Sequence, residues 1–323
     1  MTSLVGHAAA QAGFLAALSG DAMHHAWLLV GPEGVGKATF ARAAAARLLA
    51  RAAGEGELDQ TLDLPATSRT AAMLAAGSHP DFRVLERLQK DADKPDLARS
   101  ITIAQVRALQ PMFATTPSMG PGRVVLIDAI DDLERAGANA LLKNLEEPPQ
   151  GTVFLLVSHA PGRLLPTIRS RCRLLRFEPL ATADMRAVLH AQMPEADASE
   201  IATLVAAGEG SPGRALRYAG LDLAGIDAAL AAFAAGDAGN VERLRLAKAL
   251  APKAAQPRYE LFLDRAPSFI AAQAHVRRGD ALRTALDAQS AARDLAGAAI
   301  GLSLDAQATV IEMAGLVARL HQR

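Results

Sequence analysis

The segment Gly31-Pro32-Glu33-Gly34-Val35-Gly36-Lys37-Ala38 constrains this chain more than any other, because it sits between a short apolar run, Ala26–Val30, and an alanine-rich helical stretch. A glycine-rich loop ending in lysine at a strand-to-helix junction can wrap a polyphosphate with backbone N–H groups at the helix N-terminus. Such a junction requires a β-loop-α unit, and that unit needs parallel partner strands. The chain supplies candidates of strand length at Phe82–Leu85, Val124–Ile127, Val153–Val157 and Leu174–Phe177. Ala26–Val30, Val124–Ile127 and Val153–Val157 are apolar at every position rather than at alternate ones, the pattern of strands covered by helices on both faces. The first half therefore reads as a doubly wound α/β domain with a parallel sheet.

The loop also departs from a working phosphate-transfer site. Gly31, Gly34, Gly36 and Lys37 are in place, with Lys37 spaced to reach the β- and γ-phosphates, but the residue that should offer a hydroxyl to Mg²⁺ is Ala38. Thr39 follows it, turned by about 100° on the helix. The strand Val124–Ile127 delivers Asp128 where a metal-binding aspartate belongs, and the next position, expected to hold the carboxylate that activates water, is Ala129. Loss of a general base costs roughly 10²–10⁴-fold in rate. Two readings stay open for the loop: a tight turn without ligand, or nucleotide binding without turnover. Asp128 reads equally as a cap and as a metal ligand. A rival reading keeps the site active, with Thr39 and either Asp131 or Asp132 replacing the lost groups.

After Phe177 the strand-like runs stop. A short helical segment begins near Thr182, and Ser211-Pro212-Gly213-Arg214 reads as a helix start, with Ser211 as cap and Pro212 at the first helical position. From Leu221 onward the pattern is helical, with breaks expected at Gly236, Pro252, Gly279 and Gly301. Three domains follow: 1–178 α/β, 179–220 a small helical domain, and 221–323 all-helical. Gly54–Gly77, rich in small and polar residues, reads as a flexible insertion.

Lysine plus arginine and aspartate plus glutamate number 34 each, so no global basic field exists to drive non-specific nucleic-acid binding. Any DNA contact is expected to be local or shared. No run reaches the roughly 18 apolar residues of a membrane span, the first residues lack the pattern of a secretory signal, and a single cysteine, Cys172, gives neither a disulfide nor a thiolate zinc site within the chain. A cytoplasmic protein without membrane partners is expected.

Four further strings carry a resemblance: His25-Ala26-Trp27-Leu28-Leu29, Ser78-His79-Pro80-Asp81, Asn139-Ala140-Leu141-Leu142-Lys143-Asn144-Leu145-Glu146-Glu147-Pro148-Pro149, and Ser170-Arg171-Cys172. In this order the chain resembles the bacterial DNA polymerase III clamp-loader family, over roughly residues 1–220. The resemblance implies an AAA+ P-loop domain, a helical lid and an all-helical collar. The gamma/tau ATPase subunits of that family carry the intact nucleotide pattern; the delta-prime branch is similar to this chain in joining a degraded site to a retained Ser-Arg-Cys. It implies that Arg171 is an arginine finger acting in trans on a neighbour's ATP. It implies gamma/tau and delta subunits as partners, with the sliding clamp and primer-template DNA met through the complex. The resemblance also implies that no cofactor is required, with ATP or ADP expected to bind, if at all, without turnover. Many relatives carry a four-cysteine zinc module where this chain has Ala50–Ser78, which lacks cysteine, so zinc is not expected. Arg214 resembles the sensor-2 arginine or is a surface arginine at a helix start, and Ser158 lies where sensor 1 would fall or caps a strand end. His25, His79 and Cys172 read as structural.

Overall fold

A computed structural model describes residues 4–20, 23–56, 61–91 and 94–321. They form two compact units, Met1–Arg217 and Tyr218–Arg323. The first unit begins with α1 (Ala8–Ser19), β1 (Ala26–Val30), α2 (Lys37–Ala52) and α3 (Arg69–Ala75). It continues with β2 (Phe82–Glu86), β3 (Gln89–Asp91), β4 (Lys94–Leu97), α4 (Ile103–Arg107), α5 (Gln110–Phe113) and β5 (Arg123–Asp128). Then come α6 (Arg135–Glu146), β6 (Thr152–Ser158), α7 (Pro166–Arg169), β7 (Arg173–Arg176), α8 (Thr182–Gln192), α9 (Ala198–Gly208) and α10 (Pro212–Tyr218), whose last residue opens the second unit.

Five strands form one sheet in the order β2-β5-β6-β1-β7, and every pairing is parallel. The continuous apolar runs have the predicted cause. Trp27 and Leu29 of β1, Val124 and Leu126 of β5, and Leu155 and Val157 of β6 face one core, with Phe14 of α1 and Phe40 of α2. Their neighbours Leu28, Val125, Ile127, Phe154 and Leu156 face a second core, filled by Val106 of α4, Leu141 and Leu145 of α6, and Ile168 of α7. Side chains alternate across a strand, so two covered faces require an apolar residue at each position.

Two local structures differ from expectation. Much of the segment read as a flexible insertion is ordered: Ser68 caps α3 by accepting from Ala71 N, while the Glu55 carboxylate accepts from Ser68 Oγ at 2.6 Å and from Thr70 N and Oγ at 2.7 and 2.6 Å. One buried-edge carboxylate thus ties the end of α2 to the start of α3; residues 57–60 lie outside the described ones. The antiparallel hairpin β3–β4 was not anticipated, being short and polar.

The second unit holds α11 (Leu223–Ala234), α12 (Val241–Leu250), α13 (Gln256–Ala274), α14 (Gly279–Leu302) and α15 (Ala306–Ala318). Gly236 and Pro252 fall between helices, and Gly279 starts one. Gly301 does not break a helix: α14 runs through it and ends at Ser303, whose left-handed backbone (φ 54°) makes the turn. The paired Arg265 guanidinium and Asp227 carboxylate, 2.9–3.1 Å apart, join α13 to α11.

Candidate functional site: a phosphate loop and a remote arginine

The loop leaves β1 at the carboxyl end of the sheet, where crevices of parallel sheets receive ligands. Glycine is obligatory at Gly31, where a Cβ would lie 2.2 Å from the Phe177 carbonyl oxygen. The Lys37 side chain, in a residue only 2 % exposed, donates from Nζ to Gly31 O at 2.6 Å and Pro32 O at 2.5 Å. Burial lowers its pKa from 10.5 to about 8, against the pull of Glu33, Asp128 and Asp131. His7 closes the loop from outside, its Nε2 2.7 Å from Val35 O and its ring edge-on to Phe177. The loop opens onto a cleft of about 440 Å³ whose lining includes Lys37, Ala38, Thr39, Asp128 and His159 together with the apolar Leu4, Val5, Leu180, Val188 and Leu216. This set can gather the charge of a polyphosphate and an apolar ring system.

The metal and water side of the cleft is different. Ala38 and Thr39 both line it, whereas Ala129, at the water-activating position, is buried. Burial pushes the Asp128 carboxyl above the usual carboxylate range. Asp131 is committed elsewhere: it accepts from Ser158 Oγ at 2.9 Å, His159 N at 2.5 Å and Ala160 N at 3.3 Å, which fixes the carboxyl end of β6. Ser158 therefore serves as the hydroxyl partner of that clamp. Asp132 is paired with Arg87 Nε at 3.1 Å.

The start of α10 lies directly on the loop. Ser211 Oγ accepts from Arg214 N at 3.1 Å, as a cap should, and donates to Glu33 O at 2.8 Å. Gly213 N donates to Gly34 O at 2.9 Å, and the approach is so close that a Cβ on Gly34 would meet Ser211 Oγ at 2.5 Å. Arg217 adds an ion pair to Glu33 at 2.8 Å. The Arg214 guanidinium is bonded to Glu209 at 2.8 Å, and Arg214 is not among the residues that line the cleft.

Ser170-Arg171-Cys172 lies at the other end of the sheet. Residues 170–172 join α7 to β7, and the register pairs Trp27 with Arg173 and Val30 with Arg176. Arg171 therefore sits level with the amino end of β1, whereas the phosphate loop leaves its carboxyl end, about 17 Å of strand away. Arg171 Nη1 donates to Thr167 O at 2.8 Å, and Nη2 lies 2.8 Å from Glu146 Oε1 at the end of α6. His25 donates its Nε2–H to Leu145 O at 3.1 Å, with burial keeping its ring below the usual histidine pKa. Three of the quoted strings thus converge on the last turn of α6. The Cys172 thiol packs against the second core and is pushed up to about 12 by burial, the character of a core residue. Ser170 Oγ donates to Thr167 O. The His79 ring accepts from Asp81 N, and buried Asp81 accepts from Ser118 N and Met119 N at 2.8–2.9 Å, so this string anchors the 115–120 turn.

His7, His159, Glu146 and Glu209 escaped the sequence reading. His7 acts through a partner 28 positions away and no local pattern marks it; Glu146 lies within the quoted Asn139–Pro149 string, but its pairing with Arg171, 25 positions on, was not read. His159 alone carried a usable signal, one position beyond the polar end of an apolar strand run.

A parallel sheet with a glycine-rich loop after β1 and a helical lid seated on that loop defines an AAA+ P-loop module. The family described as DNA polymerase III, delta subunit matches residues 6–181, more than half of the sequence, and the chain belongs to that family. It is 41 % identical over 207 residues to the DNA polymerase III subunit delta' of Pseudomonas aeruginosa, covering 63 % of this chain and 58 % of that one. The gamma/tau subunit of Mycobacterium bovis is 31 % identical over 186 residues, covering 58 % of this chain and 30 % of its own. The match thus spans less than two thirds of either relative's length. A solved gamma subunit-related protein from Thermotoga maritima superposes with a TM-score of 0.42 at 14 % identity, over 93 % of this chain and 96 % of that one. Among the described residues no helix is long and apolar enough to cross a membrane.

Proposed function

We propose that this chain is a delta-prime-type clamp-loader subunit that does not hydrolyse ATP and that lends Arg171 to the nucleotide of a neighbouring subunit. The observation that carries the proposal is placement. Arg171 stands at the amino end of the parallel strands and its own phosphate loop at the carboxyl end. A guanidinium neutralises phosphoryl charge only within a few ångströms, so this one serves another chain's site or none. Its partners are gamma/tau and delta subunits, and it meets the sliding clamp and primer-template DNA through them.

The home site binds and does not turn over. Gly31, Gly34, Gly36 and Lys37 would hold the phosphates of ATP or ADP, and the apolar lining of the cleft would take the base. Ala38 offers magnesium no hydroxyl, and Ala129 offers water no base. The rival reading, an active gamma/tau-type ATPase, needs Asp131 or Asp132 to replace that base. Asp131 is spent on three donors of the β6 loop and Asp132 on Arg87, which favours the inactive reading even though Thr39 lines the cleft.

The test is the ATPase of a complex reconstituted with gamma/tau and delta subunits. Arg171→Ala should assemble normally and slow the clamp- and DNA-stimulated rate by about 10³-fold, the lower end for a lost arginine finger. Arg171→Lys should recover little, lacking the planar fork. Unchanged rates in an assembled Arg171→Ala complex would leave a scaffold with an idle arginine.

A further inference from the structure

The contacts of the Arg171 guanidinium, with Thr167 O, Ser170 Oγ and Glu146, differ in kind. Thr167 O, on Nη1, is a neutral acceptor that orients the group and leaves its charge intact. Glu146, 2.8 Å from Nη2, cancels that charge. A finger works as a positive charge facing a developing negative one, so an arginine that keeps its carboxylate has little to give a phosphoryl group.

The backbone that carries the carboxylate belongs to a packed helix, whereas the arginine stands on a short connection. Glu146 ends α6, whose Leu141 and Leu145 are buried in the core and whose Leu145 carbonyl is held by His25. Arg171 stands on the three-residue connection between α7 and β7. Both side chains are partly open to solvent, 33 % for Arg171 and 47 % for Glu146. Ion pairs so exposed are weak and exchange readily for a stronger partner.

We propose that Glu146 is a counter-ion latch: it holds the finger in cis, and the finger acts only when a neighbour's phosphate takes the carboxylate's place. This rests on the reading of Arg171 as a finger. Glu146 is thus a positioning residue, acting through Arg171 and touching no nucleotide.

The experiment compares four reconstituted complexes carrying wild type, Glu146→Gln, Arg171→Ala or both substitutions, with assembly verified by size exclusion. ATP hydrolysis is measured without clamp or DNA and again with both saturating. Glutamine keeps the acceptor oxygen and removes the charge. Glu146→Gln should raise the unstimulated rate about two- to fivefold, the range for loss of an exposed ion pair, and leave the saturated rate within about twofold. In the Arg171→Ala background the same substitution should do nothing. A fall or no change in the unstimulated rate on Glu146→Gln overturns the latch. So does an equal effect in the Arg171→Ala background, since a structural role would not need the arginine. Should Arg171→Ala alone leave the stimulated rate untouched, the finger reading itself has failed, and the two failures are told apart.

Discussion

Lys37 keeps an amine in a residue 2 % exposed, held by two loop carbonyls, and its pKa near 8 makes the loop sensitive to pH. The unfolded lysine retains its proton to about pH 10.4, so between pH 8 and 10.5 the unfolded chain binds more protons and stability rises with pH. Below pH 8 both states carry the charged amine, so the cost of burying it is present in full and no longer changes with pH. Comparing wild type with Lys37→Met by urea unfolding from pH 7 to 10.5, the wild-type curve should gain about 2 kcal/mol on the variant, after allowance for solvent screening. Parallel curves would mean that the amine titrates normally. The residue types of this site were legible where chemistry dictates identity: a glycine under the Phe177 carbonyl, a lysine in the loop, alanines where a hydroxyl and a carboxylate belong. The commitment of Asp131 to the β6 loop was not, because Asp131 and Asp132 look alike in sequence and only the fold decides what each faces.

Among elements, α10 shows how one cap can serve two purposes. Ser211 Oγ satisfies a free N–H of its own helix and simultaneously donates to Glu33 O in the phosphate loop. Ser211→Ala should cost about 1–2 kcal/mol, the usual loss for a helix cap, and should loosen the seating of α10. Hydrogen exchange should then quicken at residues 212–218, with β1 unchanged; protection that stays as in the wild type would deny the serine this bridging role. The cap and the Pro212 start were readable in the sequence, as were β1, β5 and β6, because burial on two faces leaves a continuous apolar run; β2 and β7, each broken by an arginine, were read from length and spacing. The hairpin β3–β4 and helix α3 were not. Neither has an apolar period, and α3 is set by a carboxylate at Glu55, 13 and 15 residues before the groups it binds.

At the scale of the molecule, apolar surface is unevenly shared. Of the ten exposed large hydrophobic residues among the described ones, only Leu88, Leu97 and Leu174 belong to the unit Met1–Arg217. The other seven, including Val276 at 79 %, Ile300 at 62 % and Leu302 at 73 %, lie in Tyr218–Arg323, about a third of the chain. Helices that keep such side chains in water, and that carry none of the site residues, suit packing against partner subunits. We therefore propose residues 221–323 as the collar through which the chain assembles, with 1–220 as the module that carries the loop, lid and finger. The first unit encloses two complete apolar cores of its own, one on each face of the sheet, so it should not need the tail to fold. A chain ending at Gly220 should unfold in urea in one cooperative transition and retain the Lys37 dependence on pH. It should no longer co-elute with gamma/tau and delta subunits on size exclusion at concentrations where the full chain does. Co-elution of the shortened chain would place the assembly surface in the first unit instead, and the apolar residues of the tail would then need another partner.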